Sequence, residues 1–232
     1  MKELTDFPKM QCPFIRKEFE VDYADWRRYG NQYQLRQPKV YLAVNEINPG
    51  YEWVFDDPAT QAIEKLDGTN VKLETEDGFL TALMNRKNII NPLQIMKGKT
   101  FIIEGVFMAI QKGYVEKNGE QAGEVIGPKL QGNPYNLQSH IWYPFEKAFK
   151  HLYYRSWHEH ERTYENLSSW FKDFLFSRFA TKRGEKDIMA EGVIFTNYQR
   201  RLLNKPWRAK LRRDMFAWFY QPDITIGDEL LF

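Results

Sequence analysis

Residues 62–85, AIEKLDGTNVKLETEDGFLTALMN, constrain the fold more than any other stretch. From Val71 the side chains alternate apolar and polar, which is the period of a half-buried strand. The Glu-Asp-Gly at 76–78 supplies a tight turn between two strands, because Asp-Gly readily adopts positive φ. Lys65 stands just ahead of this pattern, two residues before Asp67 and Gly68. Taken alone, K-x-D-G does not separate a surface amine beside a turn from a lysine held in a site, since a chain this long contains it by chance on the order of a few per cent of the time.

The other segments give the frame. VYLAVNEI (40–47) reads as a strand closed by the turn-forming NPG at 48–50. FIIEGVFMAIQKGY (101–114) reads as a helix despite its β-branched start, and GEVIG (123–127) as a short strand followed by a loop, PKLQGNPYN. In 166–180, Phe171, Leu175 and Phe179 recur every four residues, a helix stripe of the kind that faces a core. TKRGEKD (181–187) is a loop, and MAEGVIFTN (189–197) and KPWRAKLRR (205–213) read as two late strands. HIWYPF (140–145) reads as a strand that places Tyr143 and Phe145 on one face. The first 35 residues look irregular or weakly helical. Strands towards both ends with helices between them predict an α+β fold with antiparallel sheets flanked by helices. A single domain over 1–232 is expected, with 1–60 as an N-terminal extension of open role.

Composition excludes several classes. The 232 residues are 43% hydrophobic, 28% charged and 16% aromatic, a folded chain rather than a disordered one. No run approaches the roughly 20 apolar residues of a membrane helix, and MKELTDFPKM lacks the apolar core of a secretory signal. Cys12 is the single cysteine, so neither an internal disulfide nor a cysteine-rich zinc site is expected, which suits a reducing, cytoplasmic setting. The net charge of +2 does not point to nucleic acid, so any basic surface must come from local clustering. HEHE (158–161) spaces its histidines two apart, which faces them differently on a helix and does not suit a metal site.

After KLDG come an Asn-Arg pair in MNRKN (84–88), GEVIG, EGVIF (191–195) and AKLRR (209–213), in that order. This series resembles the nucleotidyl motifs of the covalent nucleotidyltransferases, which comprise the ATP-dependent RNA and DNA ligases and the messenger-RNA capping enzymes. The resemblance spans roughly residues 60–215, and GEVIGPKLQGNPY and KLRRDMF look most like the small phage-type RNA ligases. It implies an ATP-grasp-like ligase adenylation domain. The roughly 20 residues after Arg212 are too few for an appended OB-fold, so none is expected.

By this resemblance Lys65 attacks the α-phosphate of ATP, pyrophosphate leaves, and AMP passes from the lysine to a 5′-phosphate that a 3′-hydroxyl of RNA then attacks. A nucleophilic lysine must be neutral, and neighbouring cations and a metal disfavour its ammonium form. Lys210 and Arg212 alternate on one strand face and can both stabilise phosphate charge. The resemblance makes Glu191 the ligand of catalytic Mg2+ (or Mn2+), a hard oxygen donor for an ion that keeps several waters. It puts Glu124 on the nucleotide sugar and Glu64 at the adenine edge. Asp67 and Gly68 follow the nucleophile, and the glycine permits close backbone approach. Arg86 is placed on the sugar or the 5′-phosphate of the strand to be sealed. Trp142, Tyr143 and Phe145 are the candidates to stack on adenine, with Tyr143 and Phe145 preferred. Glu104, in IIEGV, competes with Glu124, which carries the longer resemblance. The partners implied are ATP and RNA with 5′-phosphate and 3′-hydroxyl ends. A capping guanylyltransferase, a DNA ligase or a non-catalytic RNA-binding module are the alternatives, and the oligomeric state is open.

Overall fold

The computed structural model describes residues 9–93, 98–159 and 161–227. Its strands are β1 (Phe14–Glu20), β2 (Lys39–Ile47), β3 (Gln61–Lys65), β4 (Thr69–Glu76), β5 (Phe79–Asn85), β6 (Asn88–Ile89), β7 (Gly119–Ile126), β8 (Ile141–Pro144), β9 (Gly192–Thr196) and β10 (Arg208–Arg212). Its α-helices are α1 (Tyr23–Tyr29), α2 (Trp53–Asp56), α3 (Thr100–Gln111), α4 (Phe145–His151), α5 (Tyr164–Ser169), α6 (Arg178–Thr181) and α7 (Tyr198–Leu202). The fold is α+β with antiparallel sheets, as the sequence predicts. Among the described residues no helix is long and apolar enough to cross a membrane. The chain divides into two compact units, one built from Ile63–Tyr153 and Phe176–Ala190, the other from Met10–Ala62, Tyr154–Leu175 and the residues from Glu191 on.

In the first unit an antiparallel sheet runs in the order β6-β5-β4-β7-β8. The 76–78 turn forms as expected, with Asp77 and Gly78 at φ 51° and 86°. Val71 and Leu73 point from β4 into a core with Leu83, Val125 and Trp142, and α3 covers it with Ile102, Val106 and Ala109. Those helix positions recur at i, i+4 and i+7, so the face, rather than the β-branched start, decides the helix. A Cβ on Gly105 would lie 2.9 Å from Val125 Cγ1, so glycine lets α3 approach the sheet. Trp142 is fully buried, its Nε1–H donating to Val71 O at 3.1 Å.

The second unit contains the β1–β2 ribbon and the β9–β10 pair. Phe19 and Val21 pack with Val40, Leu42, Tyr220 and Ile224. Here the expectation for the first 35 residues needs correction: residues 14–20 are a strand and 23–29 a helix capped by the Asp22 side chain, which accepts from the amides of Ala24 and Asp25. FIRKEFE hides its strand because Arg16, Lys17 and Glu18 are all exposed, and the pairing partner lies some 20 residues later. Residues 10–60, expected as part of an extension, are built into this unit.

The expected helix over 166–180 is also corrected. α5 stops at Ser169, a π-helical turn covers Trp170–Phe174, Phe176 bridges Met189, and α6 restarts after Ser177. The stripe is core, yet Phe171 and Leu175 fill the second unit and Phe179 the first. A four-residue spacing served two cores joined by a short extended link, which periodicity cannot distinguish from one helix.

Gly123 on β7 is the tightest point of the sheet, where a Cβ would sit 2.4 Å from Tyr143 O and 2.7 Å from the Trp142 ring. Gly123→Ala is expected to cost about 1–3 kcal/mol by overpacking and to lower the melting temperature by about 3–10 °C. An unchanged melting curve by circular dichroism would contradict this packing.

Candidate functional site

β3 is buried on both faces over residues 62–64, and Lys65 is half-buried at its end. The Glu64 side chain is 2% exposed, and its carboxylate accepts from Ser177 Oγ at 2.6 Å and from the Phe179 amide at 2.7 Å. Its own amide donates to Leu152 O at 2.9 Å. The Glu64 carboxylate, expected at the adenine edge, is thus engaged at the start of α6, and its amide is engaged by Leu152 O. Leu66 is buried in the core, the Asp67 amide donates to Tyr135 Oη at 2.8 Å, and Tyr135 O accepts from Arg183 at 2.8 Å. A Cβ on Gly68 would fall 2.2 Å from Val125 O and 3.0 Å from Glu124 Cγ, so only glycine lets this turn press against β7. The segment 64–68 is thus fastened at successive residues.

Beyond the turn, Asn70, Glu124 and Tyr143 lie directly opposite one another on β4, β7 and β8, so they form one row on one sheet face. The structure brings together Lys65, Asp67, Gly68 and Glu124 along this turn and row. Glu104, the competing candidate, lies on α3, where it accepts from His140 N at 3.2 Å and pairs with His140 Nδ1 at 2.9 Å. His140 Nε2 in turn accepts from the Lys129 amide at 3.1 Å. That chain holds the loop after β7, and hydrogen bonds from His140 keep the Glu104 carboxyl below its usual range against the opposing effect of burial.

The shared strand face of Tyr143 and Phe145 is corrected. β8 ends at Pro144 and Phe145 opens α4, because proline at this point sits just ahead of a helix. Tyr143 is buried, its ring in T-shaped contact with Tyr114 and Phe179, and burial pushes its phenol up to about 12. Arg86 is exposed in the β5–β6 turn with a left-handed backbone, φ 53°. Beside it Asn85, which sequence reading quoted only as its partner, is buried. The Asn85 side chain donates to Thr69 Oγ1 and Asn70 O and accepts from Lys99.

Within the second unit Glu191 precedes β9 and Gly192 begins it. A Cβ on Gly192 would lie 2.3 Å from Leu211 O and 2.8 Å from Arg212 Cα, so glycine draws Glu191 against β10. Arg212 Nη1 stands 3.7 Å from Glu191 Oε1, and Nη2 pairs with Asp214 at 2.9 Å. Ala209 and Leu211 are buried while Arg208, Lys210 and Arg212 occupy the other face, as the strand period predicts. Among the described residues no three His, Cys, Asp or Glu side chains form a metal cluster. The set fits magnesium or manganese as one carboxylate, Glu191, completed by phosphate and water. At 3.7 Å Arg212 balances that carboxylate without gripping it by a hydrogen bond. In HEHE, His158 Nδ1 lies 3.1 Å from Arg162, and His160 falls outside the described residues.

Sequence reading missed Tyr135 and Ser177. Ser177 caps α6 by accepting from the Ala180 amide, a cap signal readable in SRFA, whereas nothing local marks the Tyr135 hydroxyl.

No family model matches the sequence, and no curated protein sequence matches it. Solved structures of an RNA ligase from Naegleria gruberi are similar to it. An apo variant is 17% identical with a TM-score of 0.41, over 70% of this chain and 51% of that chain. A variant with AMP and Mn is 16% identical with a TM-score of 0.40, over 70% and 51% of the two chains. The form with PPi gives 16%, 0.38, 70% and 50%. The chain spans about half the length of that ligase. At these scores the likeness transfers no residue roles.

Burial pushes the Glu64 carboxyl from 4.5 up to about 7, against the hydrogen bonds from Ser177 and Phe179 that lower it. A folded-state value above the ordinary one means this group's contribution is complete below about pH 4.5 and is lost as pH rises through 7. The stability of the wild type relative to Glu64→Gln should therefore fall by about 3 kcal/mol between pH 4.5 and 8, read from thermal unfolding of both proteins. Parallel slopes for the two proteins would contradict the assignment.

Proposed function

We propose that the chain is an ATP-dependent RNA ligase of the covalent nucleotidyltransferase superfamily, working through lysyl-AMP and adenylylated RNA. The observation that carries this reading is the immobilised turn after Lys65: Glu64 anchored in the core, Asp67 held by Tyr135, and Gly68 pressed against Glu124 and Val125. A solvated surface lysine needs no such turn, whereas a nucleophile that must meet phosphorus within a narrow geometry does.

Lys65 Nζ, as the free amine, bonds to the α-phosphorus of ATP while the bond to the pyrophosphate oxygen breaks. In the second step an RNA 5′-phosphate oxygen attacks that phosphorus, the P–N bond breaks and the amine returns. In the third a 3′-hydroxyl attacks the 5′-phosphorus, loses its proton and displaces AMP. Glu124, beside Gly68, takes the sugar hydroxyls, and Asn70 shares its row. The adenine edge is met by the backbone carbonyl of Glu64. Tyr143 is buried in T-shaped contacts with Tyr114 and Phe179, so the stacking role falls to the half-buried Phe145. Glu191 holds the divalent ion, which supplies charge neutralisation at the triphosphate when bound. Lys210 and Arg212 supply further positive charge for the phosphates, and Arg86 binds the phosphate of the strand to be sealed.

Lys65→Ala should abolish label transfer from α-labelled ATP, by at least about a thousand-fold. The same variant should still seal RNA supplied with a 5′-AMP already attached, because the activated phosphate is then present without the amine. Label retained by the variant, or no label on the wild type with ATP and magnesium, would contradict the reading.

A further inference from the structure

The charge of this chain is concentrated in one place. Residues 192–213 contain Arg200, Arg201, Lys205, Arg208, Lys210, Arg212 and Arg213 and no acidic residue. The whole chain carries +2, so the remaining residues sum to −5. A basic segment in a chain otherwise net negative is a local cluster of charge, not the average charge of a basic protein.

The part of this segment farthest in sequence from Glu191 and Arg212 is built from α7 and the link into β10, and it interleaves cations with aromatic rings. Arg201 lies over both Tyr198, 5.7 Å from the ring centroid, and Trp207, at 5.2 Å. Arg208 lies over Trp207 at 4.2 Å, and Arg200 over Trp53 at 5.4 Å while its Nε donates to Pro206 O. The two cations are thus gathered about one indole, and burial, with the nearby Arg201 charge, pushes the Arg208 guanidinium down. Tyr198 is 63% exposed, and Arg201 and Lys205 are exposed as well. Rings hold the Arg201 guanidinium in a fixed position on an exposed part of the segment, and an exposed tyrosine offers a π-face to a base.

We propose that α7 and the 203–208 link form a binding surface for single-stranded RNA, with Arg201 and Lys205 on phosphates and Tyr198 against a base. This rests on the ligase reading only for the choice of RNA; the charge and geometry call for a nucleic-acid backbone in any case. The surface would hold one of the two strands whose ends are to be joined.

The test is fluorescence-anisotropy titration of a labelled single-stranded RNA at a series of salt concentrations, using the full chain. Arg201→Gln/Lys205→Gln removes two charges on exposed side chains. Each lost phosphate contact takes about 0.7 from the salt slope on a single strand, so the slope should fall by about 1.4 and affinity at 0.1 M salt by roughly twenty-fold. Tyr198→Ala should weaken binding several-fold with the slope unchanged. Arg201→Lys, which keeps the charge, should keep the slope, whereas a merely structural role for Arg201 would not distinguish Lys from Gln in this way. Label transfer from ATP is measured on the wild type in parallel: its absence would defeat the ligase reading while leaving the RNA-binding result to stand by itself. An affinity and slope equal to wild type in the double variant would overturn the proposal. So would binding of polyglutamate in place of RNA, which would make the surface a site for acidic protein.

Discussion

The Glu64 carboxylate is the constraint on which the candidate site depends. It lies in the core of the first unit, where a carboxyl is tolerated only because Ser177 and the amide that opens α6 both donate to it. Strand geometry turns this into a statement about its neighbour. Glu64 and Lys65 point to opposite faces of β3, whose preceding residues Ala62 and Ile63 are buried on both, so the amine is only partly exposed where the strand ends. The isolated bridge between Ile63 and Tyr153 and the Glu64 amide on Leu152 O pin the register of β3.

Glycine does comparable work at two other positions. Gly68 admits Val125 O, and Gly192 admits Leu211 O, each at a distance that any Cβ would close. In both cases the residue kept close is a carboxylate, Glu124 beside the first glycine and Glu191 before the second. The K-x-D-G and E-G pairs in the sequence are therefore contact devices as much as chemical ones. The Glu-Gly at 104–105 has a different cause. There the glycine serves helix-on-sheet packing against Val125, and the glutamate anchors His140.

What was legible in the sequence was local. Alternation after Val71, the Asp-Gly turn and the apolar face of α3 each follow from the period of a few neighbouring side chains, and the structure contains all three. The face shared by Lys210 and Arg212 was equally readable, because Ala209 and Leu211 fix which side of β10 is buried. What escaped depended on distant partners. β1 is a strand because β2 pairs with it, not because FIRKEFE alternates. Glu64 is a core acid because Ser177, 113 positions later, meets it. The break in 166–180 arises because Phe171 and Phe179 belong to different cores, although their spacing is helical. Tyr143 and Phe145 separate because Pro144 ends a strand and begins a helix, a boundary that two-residue periodicity cannot show.

The central claim is that the amine at 65 carries the nucleotide. Peptide mapping by tandem mass spectrometry, after brief incubation of the protein with ATP and magnesium at neutral pH, tests it most directly. The account predicts a single AMP group on the peptide containing Lys65, lost in acid as a P–N bond should be. AMP on any other residue, or an acid-stable linkage, would contradict it.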